Sequence, residues 1–140
     1  MYKDSLFRVS FKCLIQDENG RVLAVKESGR SSWDLPGGGI DYGETIEEAI
    51  ARELYEEVSF KGRFSYKIIT VHDPVKLLTR DVWAIKIVVL LEIDNFDFSA
   101  GDEADEILFI DPEELLRSEH EPENRIPAYV DLMISMGYQG

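Results

Sequence analysis

The chain has 140 residues, with 28 acidic against 15 basic side chains, a formal net charge of −13, and one cysteine, Cys13. That length makes a single domain over residues 1–140 the expectation, burying about two thirds of its unfolded surface, and the charge argues against non-specific binding to a nucleic acid polymer or an anionic membrane. A lone cysteine excludes an intrachain disulfide and the opening MYKDSLFRVSFKC carries no signal-peptide pattern, so a reducing cytoplasm is expected.

Taken in chain order, residues 7–16 alternate and are followed by Asp17-Glu18-Asn19-Gly20 and then the apolar run of residues 21–26, which predicts a hairpin. Cys13 sits there among Phe11, Leu14 and Ile15, as a buried strand thiol rather than a nucleophile. Residues 28–32 read as a loop, and 33–35 lead into three glycines. A helix is expected from about Thr45 to Val58. Residues 64–71 and 82–93 are rich in β-formers, and Asp73-Pro74 opens the connection between them. The second of these runs is broken by Lys86 and is too short to span a bilayer. Residues 107–110 form a short strand, Asp111-Pro112-Glu113-Glu114 starts a helix, and a last helix runs from near Pro127 through Tyr129, Leu132, Met133 and Met136 to near Gly137. The polar stretches 94–106 and 117–125 read as loops, and no repeat or low-complexity tract interrupts the order.

Within the first helix, spacing says more than composition. At about 100° per residue, Ile46, Ile50, Leu54 and Val58 fall inside an arc of roughly 120°, the face that buries itself. Counting from Ile46, Glu57 lands at about 20°, Glu53 at about 340° and Glu56 at about 280°. These carboxylates overlap or border the buried stripe, where like charges and desolvation are unfavourable unless a cation compensates. Glu47, Glu48 and Tyr55 fit an ordinary solvated face. Carboxylates at i, i+3 and i+4 can converge on a hard cation such as Mg²⁺, which would hold a diphosphate without a lysine-rich surface.

Upstream residues extend the pattern to Gly38, Glu44, Arg52, Glu53, Leu54, Glu56 and Glu57, closing on Phe60. Written as G-x5-E-x7-R-E-U-x-E-E-x-G-U, with U a bulky aliphatic, this resembles the box of the Nudix hydrolases, and Leu35-Pro36-Gly37-Gly38 resembles the usual approach to it. One position departs, with Ser59 standing where the family has glycine. Glycine after a helix normally supplies a left-handed conformation, and another residue there costs on the order of 1 kcal/mol. Serine either caps the terminus through its hydroxyl or the helix runs on.

The resemblance implies an α/β fold, a Nudix-type α/β/α sandwich with a mixed β-sheet between helices. It implies Mg²⁺-dependent hydrolysis, with Mn²⁺ as an alternative, in which water attacks phosphorus in a nucleoside diphosphate linked to another group. By analogy Glu53, Glu56 and Glu57 are metal ligands, Gly38 offers its backbone carbonyl, and Glu53 is the first choice of general base. Arg52 and Glu44 are organisers, because a guanidinium beside the ligands can fix a glutamate rotamer through a bidentate contact. The plain reading of Arg52 is an exposed salt bridge worth under about 1 kcal/mol. An outside carboxylate often completes such sites, and here Glu103 is taken as that ligand, with Glu106 the other choice in GDEADEILF.

Substrate choice is thinly written. Trp33, Tyr42, Phe64, Tyr66 and Trp83 could stack on a base, yet strand aromatics usually belong to a core. Arg30, Lys76 and Arg80 could touch phosphate or be surface charges. Pro74 resembles a marker of ADP-ribose-cleaving members but is also a turn signal, and His72 and His120 have no partners at metal spacing. The expected partner is a small nucleotide: a nucleoside triphosphate, a damaged nucleotide or a nucleotide sugar. ADP-ribose or dinucleoside polyphosphate hydrolysis, a non-catalytic nucleotide sensor, and mRNA cap removal or another polymer-end activity are the rivals, the last disfavoured by the acidic balance. Dimers are frequent in the family, so a homodimer stays open although no segment demonstrates one.

Overall fold

The computed structural model describes residues 4–77, 80–118 and 126–135. Its centre is a sheet in which the strands β1 (Arg8–Leu14), β3 (Gly37–Gly39), β4 (Phe64–Val71) and β6 (Val82–Ile93) lie in the order β3-β1-β6-β4, with β5 (Val75–Leu77) also paired to β6. The β1–β6 pair is parallel and the other pairs are antiparallel, so the sheet is mixed. The remaining strands, β2 (Val22–Glu27) and β7 (Ala104–Ile110), form an antiparallel ribbon of their own.

Side-chain alternation divides the core between the two faces of the sheet. Phe11 and Cys13 of β1 and Val89 and Leu91 of β6 pack with Ala49, Ile50, Leu54 and Val58 of the first helix, α1 (Ile46–Val58). On the opposite face, Leu14 and Val88 pack with Leu115 of α2 (Pro112–Arg117) and with Tyr129, Val130 and Met133 of α3 (Ile126–Ser135). The ribbon feeds both clusters, Leu23 and Val25 going to the α1 side and Val22 and Ala24 to the other. This explains why β6 reads as a nearly unbroken apolar run, since a central strand covered on both faces has no wet side. The arrangement is the expected α/β one, a mixed sheet between helices.

Three expectations change. The predicted hairpin is cut short: Asp17 organises the turn by accepting from the backbone N–H groups of Asn19 and Arg21, but both edges of β1 are taken by β3 and β6. The chain reverses there, with Gln16 opposite Val22 and backbone bonds from Asp17 N–H to the Arg21 carbonyl at 2.9 Å and from Leu23 N–H to the Ile15 carbonyl at 3.0 Å, and β2 then pairs along its length with β7 instead of β1. Residues 104–106, expected in a loop, extend β7, and two strands of three residues each, β3 and β5, were not anticipated. Asp111 precedes α2 in extended conformation as expected of a cap, but its side chain makes no capping hydrogen bond and faces Arg21 at 3.7 Å instead. Met136, Gly137 and His120 lie outside the described residues.

Candidate active site

The site is assembled on α1 and on the two segments that approach its ends. Thr45 caps the helix start: its hydroxyl accepts from the Glu48 N–H at 3.1 Å while the Glu48 carboxylate accepts from the Thr45 N–H at 3.2 Å. The preceding loop is held by Glu44, whose Oε1 accepts from the Asp41 N–H at 2.8 Å. About two turns later, Arg52 closes a fork on Glu44, with Nε to Oε2 at 2.7 Å and Nη2 to Oε1 at 2.8 Å. The same guanidinium reaches the Gly39 carbonyl at 2.9 Å, Glu53 at 2.8 Å and Glu56 at 3.4 Å. Arg52 thus holds Glu44 with two bonds and Glu53 and Glu56 with one each, the geometry expected of an organiser of those carboxylates.

At its other end α1 exposes carbonyls that its own ladder cannot satisfy. A loop before β7 satisfies three of them: Ser99, Gly101 and Glu103 donate backbone N–H groups to Val58, Glu57 and Glu56 at 3.0, 2.9 and 3.2 Å. Those bonds carry the Glu103 side chain to the helix. Carboxylate oxygens of Glu53, Glu56 and Glu103 lie within 4.8 Å of one another. Glu106 points elsewhere, to Lys26 at 3.6 Å across the β2–β7 ribbon.

Glu57 is placed differently from its neighbours. It is 2% exposed, and its Oε1 accepts from the Gly37 N–H at 2.9 Å. Its Oε2 is buried with no hydrogen-bond partner. Burial pushes the carboxyl up to about 9, against the pull of Lys12 and the Gly37 N–H. Burial also raises Glu53 against the pull of Arg52, and burial together with the adjoining Glu56 raises Glu103. A buried carboxyl that does not ionise readily and has one oxygen without a donor is unfavourable where it stands. A hard divalent cation in the cluster resolves the crowding of Glu53, Glu56 and Glu103 and lies within the chemistry of an all-oxygen donor set. The residues present therefore fit such an ion.

Gly38 completes the approach from the strand side. A Cβ there would collide with the Glu53 carboxylate, so backbone without a side chain is what lets β3 lie against the acidic cluster.

The expected aromatic stackers do not converge on this site. Tyr42 is fully exposed, Phe64 and Tyr66 pack on the α1-side core, and Trp33 lies against the other cluster with Lys26 over its ring at 4.7 Å. Trp83 is half exposed on β6, and Lys76 pairs with Asp81 at 3.0 Å. His72 stacks on Tyr129 with 5.4 Å between ring centroids. Cys13 is fully buried, and burial pushes its thiol above the ordinary range, as befits an inert core residue.

Sequence reasoning missed a buried ion pair, Lys12 with Asp34 at 2.7 Å, beside the glycine strand. Burial alone would lower the Lys12 ammonium, but the facing Asp34 together with Tyr129 and Glu57 outweighs it and raises it. Arg8 and Lys86 nearby were missed as well. The available signal was the polar repeat Arg8, Ser10, Lys12 at every second residue of β1.

A family model described as the NUDIX domain matches residues 6–129. An RNA pyrophosphohydrolase of Tolumonas auensis is 47% identical over 55 residues, covering 39% of this chain and 32% of that protein. The matched segment thus spans about a third of that relative's length. In structure, the chain is similar to a MutT protein from Methanosarcina mazei Go1, with a TM-score of 0.72 at 22% identity over 99% of this chain and 100% of the other. A NUDIX hydrolase from Nitrosomonas europaea gives a TM-score of 0.73 at 15% identity, covering 96% and 92% of the two chains. At these identities the structural likeness speaks for the fold.

Proposed function

The chain belongs to the NUDIX domain family, and on that premise we propose that it is a Mg²⁺-dependent or Mn²⁺-dependent pyrophosphohydrolase. Its substrate in this reading is a nucleoside diphosphate linked to a second group, cut by water attack at phosphorus. The observation that carries the proposal is the convergence of Glu53, Glu56 and Glu103 within 4.8 Å beside the buried, half-partnered Glu57. A sensor without catalysis would have no use for so many uncompensated carboxylates.

Glu53, Glu56, Glu57 and Glu103 are the groups that would hold the cation, with the Gly38 backbone alongside. A divalent cation held there supplies charge neutralisation for the diphosphate and lowers the pKa of a coordinated water. Glu53 accepts the proton of the attacking water, and Arg52 restrains the Glu53 rotamer through the 2.8 Å bond. Glu44 acts on Arg52, and so on geometry rather than on substrate. Burial of Glu57 excludes water from the far side of the cluster.

Between a free nucleotide and an RNA 5′ end, the charge of −13 favours the free nucleotide. We read residues 1–140 as one domain, because both core clusters share a single sheet. Among the described residues no helix is long and apolar enough to cross a membrane. The reading of a cytoplasmic protein rests on the lone buried Cys13.

The test is a hydrolysis screen with Mg²⁺ and with Mn²⁺ over nucleoside triphosphates, damaged nucleotides, nucleotide sugars, ADP-ribose and dinucleoside polyphosphates, with products identified by mass. Glu57→Gln should abolish turnover while circular dichroism stays native. Undiminished turnover by that variant would sink the site assignment.

A further inference from the structure

The sheet face opposite α1 carries a second polar feature. Alternation sends Arg8, Ser10 and Lys12 of β1 to that face, and the register of β6 sets Lys86 beside Ser10. With Arg30 and Arg80 these residues line a cleft of about 160 Å³ that borders Gly37, Gly38 and Gly39. Five cations meet there in a chain whose net charge is −13.

Two carboxylates, Glu27 and Asp34, also line the cleft, and both are engaged: Asp34 by Lys12 at 2.7 Å and Glu27 by Arg30 at 3.3 Å. Arg8 and Arg80 make no ion pair among the described residues. The guanidiniums of Arg8 and Arg80 therefore leave the recess positive, and an anion that enters it meets two groups with donors to give.

The cleft adjoins the acidic site through bare backbone. A Cβ at Gly39 would collide with the Arg8 guanidinium, as one at Gly38 would collide with Glu53. Consecutive glycines of one edge strand therefore separate the carboxylates from the cations, with no side chain between. A chain of phosphates crossing that edge would have its metal-binding part on one side and its end among the arginines. The volume sets the size of what enters: sites that enclose a whole drug-sized ligand measure about 300–1,000 Å³, so this one takes a fragment. Among the described residues its one aromatic neighbour, Phe11, is fully buried and offers no stacking face.

We propose that this cleft binds the unesterified phosphate end of the substrate, which makes the substrate class a 5′-triphosphate rather than a diphosphate esterified on both sides. A terminal phosphate carries about −1.5 to −2 charge and three acceptor oxygens, which suit guanidinium forks. The inference rests on the pyrophosphohydrolase reading above. A free nucleoside triphosphate and the 5′-triphosphate end of an RNA present the same chemistry, and the experiment separates them.

Turnover of a nucleoside triphosphate, a triphosphorylated oligoribonucleotide and a nucleotide sugar is measured for the native chain, Arg80→Ala and Arg8→Ala. In parallel, inorganic tripolyphosphate is titrated calorimetrically into each metal-free protein at low salt. The native chain should prefer at least one triphosphate arm, which names the source. Each substitution should weaken tripolyphosphate binding about tenfold and raise KM for the triphosphate about tenfold more than for the nucleotide sugar. Preference for the nucleotide sugar, or losses of equal size on every substrate, would overturn the assignment. Arg80 is exposed on the turn before β6, so its variant keeps the test sound if Arg8→Ala fails to fold. Should no compound be cleaved, the hydrolase reading fails; reduced tripolyphosphate affinity in the variants would still uphold the cleft, and unchanged affinity would overturn it.

Discussion

Arg52 shows how one residue sets the geometry of several others. Five planar donors let it bind Glu44 with two bonds and still touch the Gly39 carbonyl, Glu53 and Glu56, which an ammonium could not do in that fixed fork. The contact also fixes an acid response. The hydrogen bond from Arg52, and then that from the Asp41 N–H, lower the Glu44 carboxyl from its ordinary 4.5 to about 2. Above pH 4.5 both folded and unfolded chains carry the ionised form, and the interaction contributes in full. As pH falls from 4.5 towards 2, the unfolded chain takes up the proton first, so the folded chain loses this stabilisation. Glu44→Gln should therefore be less stable than the native chain at neutral pH and lose less stability across that window. Denaturant unfolding at a series of pH values checks this, and identical slopes for the two proteins would rule out Glu44 as the source.

Among the elements, α1 departs from its family pattern at one point. Ser59 stands at the exit with φ 56° and ψ 27°, the left-handed conformation in which glycine is the usual residue. Of the two outcomes open from sequence, a hydroxyl cap or a continued helix, neither is adopted. The backbone takes the glycine conformation with a serine in it, and its N–H donates to Tyr55 while that of Phe60 donates to Leu54. A side chain there costs about 1 kcal/mol or more, and part of that returns as lower unfolded-state entropy. Ser59→Gly should thus stabilise the chain by on the order of 0.5 kcal/mol, read as a rise in the urea midpoint at constant slope. A lower midpoint would show that the serine makes a compensating contact.

The same elements mark what was legible beforehand. The acidic cluster on α1 could be read because helical spacing fixes it locally, and so could the long strands β4 and β6. Glu103 could be narrowed only to a pair, since backbone bonds from a loop some fifty residues away select it over Glu106. β3 has no side chains to show a period, and β5 is as short. The hairpin was read correctly at its turn and too long in its arms, because a turn signal says that the chain reverses, not which strand edges are already occupied. The cationic cleft draws on β1, β6 and two turns, so only the register of distant strands brings it together.

At the scale of the whole molecule, net charge and local charge oppose each other. On the proposed function, a substrate phosphate chain approaching from a distance meets a field of charge −13, and only close to the β3 edge would it meet a cation held by the carboxylates and the arginines of the cleft. Ionic strength separates these contributions. The Debye length falls from about 30 Å at 0.01 M to about 10 Å at 0.1 M, which screens the long-range repulsion while leaving contacts at hydrogen-bond distance largely intact. kcat/KM for a free nucleotide should accordingly rise over that range at saturating Mg²⁺, and flatten or turn down at higher salt as the close contacts weaken. Binding of a polyanion by counterion release behaves in the opposite way, with affinity falling linearly in log salt from the lowest concentrations. A steady fall of kcat/KM from 0.01 M upward would therefore count against a free nucleotide and for an RNA 5′ end held along a surface, whatever the overall charge of the chain.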